Sequence, residues 1–168
     1  MSYIKYFNES GKLSIGTVSV GVSSSTSMTA LTSVLVPANT FTTGDYINIE
    51  GMFSKYGVNS TSTIRFYYNT GSTLTGAITV ATNGLGVTGG YNLLTRKLFI
   101  ANNTGGGTGN SIGTQVISST VSYDSDHIGG GKTNLAIDWR SDVYIISAGL
   151  VANASDSIEN YGIKLYTY

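Results

Sequence analysis

The sequence contains no cysteine, one proline, one histidine and one tryptophan in 168 residues. Without thiols there can be no disulfide, no zinc–thiolate site and no cysteine nucleophile. Charge is scarce as well: nine basic and nine acidic residues make up 11% of the chain and cancel to a formal net charge of zero. An ordinary domain carries about 25% charged residues, so nothing here supplies the basic stripe that follows a nucleic-acid backbone. No window approaches the roughly 18 apolar residues of a membrane-spanning helix. Residues Met1 to Ser10 lack the basic start and apolar stretch of a secretory signal. The expectation is a product made and folded in a cytosol, with neither nucleic acid nor membrane as partner.

Hydroxyls and glycine take the place of charge. Serine and threonine together number 44, and glycine 22. With 40% hydrophobic residues and 18 aromatics, the chain has the means to build a core, and its length suits one domain. A surface with no net charge lacks the self-repulsion that keeps monomers apart. This favours a subunit packed into something larger over a free monomer.

No segment keeps helical periodicity over three turns. Short runs rich in Val, Ile, Thr, Tyr and Phe are bounded by Gly, Asn, Ser or Asp, which predicts strands over 13–20, 28–36, 46–55, 62–69, 75–81, 93–101, 114–122, 134–139, 143–151 and 160–167. In several of them the faces are legible. Ile64, Phe66 and Tyr68 oppose Arg65 and Tyr67; Ile47, Ile49 and Phe53 oppose Asn48, Glu50 and Ser54; Leu135, Ile137 and Trp139 alternate with Ala136 and Asp138; Tyr161, Ile163 and Leu165 alternate with Asn160, Lys164 and Tyr166. Alternation of period two means one buried face and one wet face. The run Val143–Val151 is apolar on both, which predicts a central strand or one whose outer face meets a neighbouring subunit. The expected fold is all-β: an antiparallel two-sheet sandwich, with jelly roll the leading topology.

Residues 1–27 differ in character from 28–168, the predicted sandwich body. Tyr3, Ile4, Tyr6 and Phe7 are apolar and precede any strong core strand, and Gly21–Ser27 reads as a hinge. Residues 1–12 are either an arm that docks those side chains on another protein or a first strand folded back on its own sheet. Residues 13–20 are expected in the body's sheets.

Candidate chemistry is thin. Gly84–Gly89 matches G-x-G-x-x-G, but no helix follows to hold a pyrophosphate; Gly129–Thr133 lacks the first glycine of a phosphate loop. Asp124, Asp126 and His127 form the densest group of potential metal ligands, without the glycine and glutamate of a calcium loop; a solvated turn is the plainer reading. Asp138 and Arg140 flank Trp139 and read as a surface charge pair. A lone histidine with no nearby nucleophile argues against a hydrolytic triad. No catalytic residue and no cofactor is therefore expected. Exposed loop tyrosines such as Tyr91 and Tyr123 could stack on sugar, although tyrosine also fills sandwich faces and subunit seams.

Two segments carry a family resemblance. Leu35-Val36-Pro37-Ala38-Asn39-Thr40-Phe41-Thr42-Thr43-Gly44-Asp45-Tyr46-Ile47-Asn48-Ile49 ends a strand at the only proline and opens the next at Gly44-Asp45. Asp142-Val143-Tyr144-Ile145-Ile146 continues to Ala152-Asn153-Ala154-Ser155-Asp156-Ser157. With the strand at 62–69 between them, 28–168 resembles the jelly-roll modules of tailed-bacteriophage virion proteins: head fibres, capsid decorations and tail or baseplate appendages. The resemblance implies a non-enzymatic virion subunit. It would be a homo-oligomer, frequently a trimer, bound to other virion proteins by an arm or collar. The competing expectation is a carbohydrate- or receptor-binding module, such as a tail-fibre tip that touches a host-surface glycan.

Overall fold

Branched and aromatic side chains at alternate positions favour pleated strands, because they pack well on a half-buried surface. The computed structural model describes residues 4–7, 13–17, 21–57, 62–85, 91–104, 111–115 and 133–167, with no helix among them. The described residues form twelve strands: β1 (Ile4–Phe7), β2 (Leu13–Thr17), β3 (Gly21–Ser23), β4 (Thr29–Val36), β5 (Tyr46–Tyr56), β6 (Ser62–Asn69), β7 (Ile78–Leu85), β8 (Tyr91–Ile100), β9 (Ser111–Gln115), β10 (Thr133–Leu135), β11 (Val143–Leu150) and β12 (Ser157–Thr167).

All described pairings are antiparallel. The larger sheet runs β1-β2-β12-β5-β8-β9-β10, with β3 also on β12; the smaller runs β4-β11-β6-β7. From β3 onward the chain passes repeatedly between the two, so hydrophobic faces from distant segments meet in one core. Ile47, Ile49, Phe53, Leu94, Leu98, Ile158 and Leu165 face Val34, Ile64, Phe66, Val143 and Ile145, all fully or almost fully buried. Phe53 and Phe66 meet across the sheets at 6.1 Å. Phe41 sets its edge on Trp139 at 5.5 Å. The all-β sandwich read from the alternation is what forms.

Four local readings are corrected. First, part of the presumed hinge is β3, and β1 pairs with β2, so the described part of residues 1–12 is a strand folded back on its own sheet. The boundary at 27/28 is therefore no break in the fold: β2 and β3 lie on successive stretches of β12.

Second, Asn160 points inward, not outward with Lys164 and Tyr166. A β-bulge between Asn160 and Ile163 shifts the register against β5, with Gly162 at φ 119°. A bulge leaves extra residues on one strand and re-aims the side chains beyond it; the positive φ is open to glycine at little cost. Asn160 then lies wholly buried, where Oδ1 accepts from Ser147 Oγ at 3.0 Å and Nδ2 donates to the Met52 carbonyl at 3.1 Å.

Third, the strand expected over 75–81 begins at Ile78. The Asn69 amide donates to the carbonyls of Thr73 and Thr75 at 2.8 and 2.9 Å, holding 70–77 as a loop. Fourth, β10 ends at Leu135 where a strand was read over 134–139; β9 spans 111–115, and of the strand read over 114–122 residues 116–122 lie outside the described residues. Beyond Leu135, Ile137 and Trp139 still alternate inward, because Asp138 forms only an isolated bridge with Thr104.

The run apolar on both faces is β11, a central strand of the smaller sheet. Its outer face is sealed by the chain itself: Ile146 and Ala148, both at 0% exposure, lie under Tyr67, Met28, Leu74 and Ala77.

Candidate functional site

The larger sheet is different. Outward positions of β5 carry Tyr46, Asn48, Glu50, Met52, Ser54 and Tyr56, and those of β8 include Leu93, Thr95, Lys97 and Phe99. Four of the five large hydrophobics that remain exposed in the described structure sit here: Tyr46 (57%), Met52 (46%), Tyr56 (42%) and Leu93 (40%); the fifth is Ile78 on β7. Met52 pairs directly with Leu93 across the strands. Tyr46 lies against Phe99 at 4.7 Å.

Two hydrogen-bonded groups flank this apolar centre. On one side Glu50 Oε1 accepts from Tyr166 Oη and Asn48 Nδ2, each at 2.6 Å, while the Lys164 ammonium sits 4.8 Å from the Tyr166 ring centre. On the other side Tyr161 Oη donates to Glu159 Oε2 at 2.5 Å and contacts Ser54 Oγ at 3.2 Å and Tyr56 Oη at 3.3 Å. The hydrogen bond that the Tyr161 phenol donates to Glu159 holds its proton and pushes its pKa well above the usual tyrosine range, and the negative charge of that carboxylate adds to the shift. Tyrosine lids explain why Asn48 and Ser54, expected on a wet face, are each only 2% exposed. The bulge supplies the geometry: by turning Asn160 inward it leaves Tyr161 outward beside Ser54.

Residues singled out from the sequence fare unevenly. Asp124, Asp126, His127, Tyr123 and Tyr3 lie outside the described residues, as do Gly86–Gly90 and Gly129–Lys132. Ile4, Tyr6 and Phe7 belong to β1, which ends the larger sheet, and Tyr91 opens β8. Asp138 and Arg140 form the surface pair expected of them: Arg140 Nε and the carboxylate meet at 3.0 Å with both side chains substantially exposed. That guanidinium holds the Asp138 carboxyl below its ordinary pKa. Among the described residues no group of three acidic or histidine side chains is placed to hold a metal.

The two segments that carry the family resemblance are joined in space. The Asp142 carboxylate accepts from the Ala38 amide at 2.9 Å, and the Asn39 amide donates to the Trp139 carbonyl at 2.7 Å. These bonds fasten the loop after Pro37 to the start of β11.

Sequence reasoning did not single out Met52, Leu93, Tyr56 or Tyr161. The available signal was on β5, where tyrosine and methionine stand at outward positions that a wet strand fills with charge.

No known family model matches this chain, and no curated protein matches it.

Proposed function

We propose that the chain is a non-enzymatic structural subunit of a tailed-bacteriophage virion: a head-fibre, capsid-decoration or tail-appendage protein that acts as a homo-oligomer beside other virion proteins. The strand order carries this reading. With β1, β3, β9 and β10 set aside, β2-β12-β5-β8 faces β4-β11-β6-β7. Numbered along the chain, those eight strands run 1-8-3-6 against 2-7-4-5. We read that order as a jelly roll, two Greek keys folded into a sandwich. The neutral, hydroxyl-rich composition supports the same reading, since a subunit held in a particle has little need of charge for solubility.

In this reading residues 1–12 make the contact with the particle. β1 ends the larger sheet, and a terminal strand offers backbone groups to a partner strand. Antibody against the chain should label purified virions of the phage that encodes it; virions that lack the chain would end the proposal. Deleting residues 2–12 should leave a folded body that no longer enters particles. Normal incorporation of that deletion would remove the docking role from Tyr3, Ile4, Tyr6 and Phe7.

A second reading is favoured by one observation, the tyrosine–carboxylate groups on the open sheet face. Aromatic faces stack on sugar rings and carboxylates accept sugar hydroxyls. A carbohydrate- or receptor-binding module would bind glycans on an array and lose that binding in Tyr56→Ala and Tyr161→Ala.

A further inference from the structure

We propose that Arg65 and Tyr67, on the outward face of the smaller sheet, form a binding site for the carboxylate of an acidic sugar. The site lies on the opposite sheet from the tyrosine–carboxylate groups, and it rests on neither reading of the chain's role.

Charge is the first observation. Arg65 is the only charged residue in β4, β11, β6 and β7, and the loop over 70–77 adds none. It makes no ion pair with any described residue. Its side chain is half-buried, so the fold has partly dehydrated a cation without giving it a counter-ion. Such a group attracts an anion more strongly than a fully solvated one does.

The second observation is that the guanidinium is already held in place. Nε donates to Thr82 Oγ1 at 3.1 Å, and Nη1 donates to Tyr67 Oη at 3.0 Å. Thr82 Oγ1 gives its own proton to the Ile64 carbonyl at 3.4 Å, which leaves its oxygen to accept from Arg65. A register shift in β7 opposite Phe66 and Tyr67 sets Thr82 against Arg65 and Thr79 against Tyr67. Thr82 and Tyr67 are each 9% exposed, and the Tyr67 ring packs with Ile146 and Ala148. Arg65 therefore loses little freedom when a ligand arrives, and that lowers the cost of binding.

The third observation is an unused proton. Tyr67 Oη accepts from Arg65, and its own O–H has no acceptor among the described residues. Buried polar groups in folded proteins almost always find partners. Here a nearly buried hydroxyl and the remaining N–H groups of Arg65 stand side by side as donors, with no described acceptor between them.

The surroundings select the anion. A phosphate dianion is held by several cations or by a nest of backbone N–H groups. This face offers one positive charge, which matches a carboxylate. β6 is paired on both sides, by β11 and β7, so an acidic peptide finds no free backbone edge to join here. Recognition is left to side chains. Thr63 and Thr79, both half-buried, flank the pair, and neither hydroxyl has a hydrogen bond among the described residues. Free hydroxyls beside a guanidinium suit a ring that carries hydroxyls and a carboxylate together.

The test titrates the full chain with glucuronic, galacturonic and N-acetylneuraminic acids and follows amide NMR shifts. At least one acid should bind, with the shifts centred on Arg65 and Tyr67, and about tenfold or more tightly than its methyl ester, which keeps the hydroxyls and loses the charge. That comparison uses the unaltered protein. Arg65→Gln should weaken binding by roughly tenfold or more, and Tyr67→Phe by about fivefold, with native circular dichroism in both. Arg65→Lys should recover only part of the loss, because it keeps the charge without the planar fork. Binding of none of the acids, equal binding of acid and ester, or tighter binding of inorganic phosphate or a glutamate-rich peptide would each overturn the inference. Sugar binding that is lost in Tyr56→Ala and Tyr161→Ala but kept in Arg65→Gln would also overturn it, and would leave the carbohydrate-module reading standing. Particle labelling decides the virion reading separately.

Discussion

Lys55 and Asp156 form an ion pair from which water is excluded: Nζ lies 3.3 Å from Oδ2, and neither side chain has exposed surface. Lys55 sits near the end of β5 and Asp156 in the turn before β12, so the pair fastens that turn to the sheet edge that β12 joins. Burying two charges costs several kcal/mol of solvation, and removing one partner strands the other. Lys55→Met or Asp156→Asn should each lower unfolding free energy by about 3–5 kcal/mol, measured by urea denaturation. The double replacement by apolar residues should cost much less than the sum. Additive losses would show that the pair is not coupled.

Gly51 faces the opposite sheet beneath Phe66. A Cβ there would lie 2.9 Å from Phe66 Cζ and 3.0 Å from Cε1. Phe66 is fully buried and has no room to retreat. Gly51→Ala should therefore destabilise by about 1–3 kcal/mol, the usual cost of overpacking. Combining it with Phe66→Leu should recover part of its own cost; a thermal-melt series on the two single variants and the double reads the coupling.

The bulge depends on Asn160. Replacing it by leucine removes the acceptor of Ser147 Oγ and the donor to the Met52 carbonyl, leaving buried polar groups with fewer bonds. The expected loss is about 2 kcal/mol or more, and Gly162→Ala should add strain at φ 119°. If β12 slipped into regular register instead, Tyr161 would turn inward and the Tyr161–Glu159 bond would disappear. Amide exchange along β12 distinguishes local slippage from uniform loosening.

Tyr161 provides a pH signature. Its pKa is raised, chiefly by the bond to Glu159, so the folded chain holds that proton after the unfolded chain has released its own. Stability from this source is complete below the ordinary tyrosine pKa of about 10 and declines as pH rises beyond it. Ultraviolet titration should show Tyr161 ionising later than the exposed set, together with Tyr68, whose burial also raises its pKa. Tyr161→Phe should remove its share of that late step, and Glu159→Gln should bring that share back toward the ordinary range. A titration unchanged by Glu159→Gln would contradict the assigned cause.

The alternation in β5 and β6 was readable residue by residue, and with it the two-layer class, because side chains on a pleated strand must alternate whatever the partner. Asn160 shows where that reading fails. A bulge is one local choice, decided by whether Asn160 can satisfy itself between Ser147 and Met52, and those residues lie far from it in sequence. The short β3 failed for a related reason: Gly21-Val22-Ser23 has no pattern of its own and becomes a strand because β12 offers a free edge there. The open face of the larger sheet was also hidden, since Tyr56 and Tyr161 are over a hundred residues apart and meet only through the register of β12 on β5.

Composition and alternation by themselves determined a sparsely charged, net-neutral, all-β chain with a sandwich core, since burial of apolar faces and backbone pairing act over a few residues at a time. Tertiary structure decided which apolar face is covered and which stays open. The chain's own loop falls across β11 while nothing described lies over Met52 and Leu93, and that outcome depends on where a distant segment lands, which local periodicity does not encode.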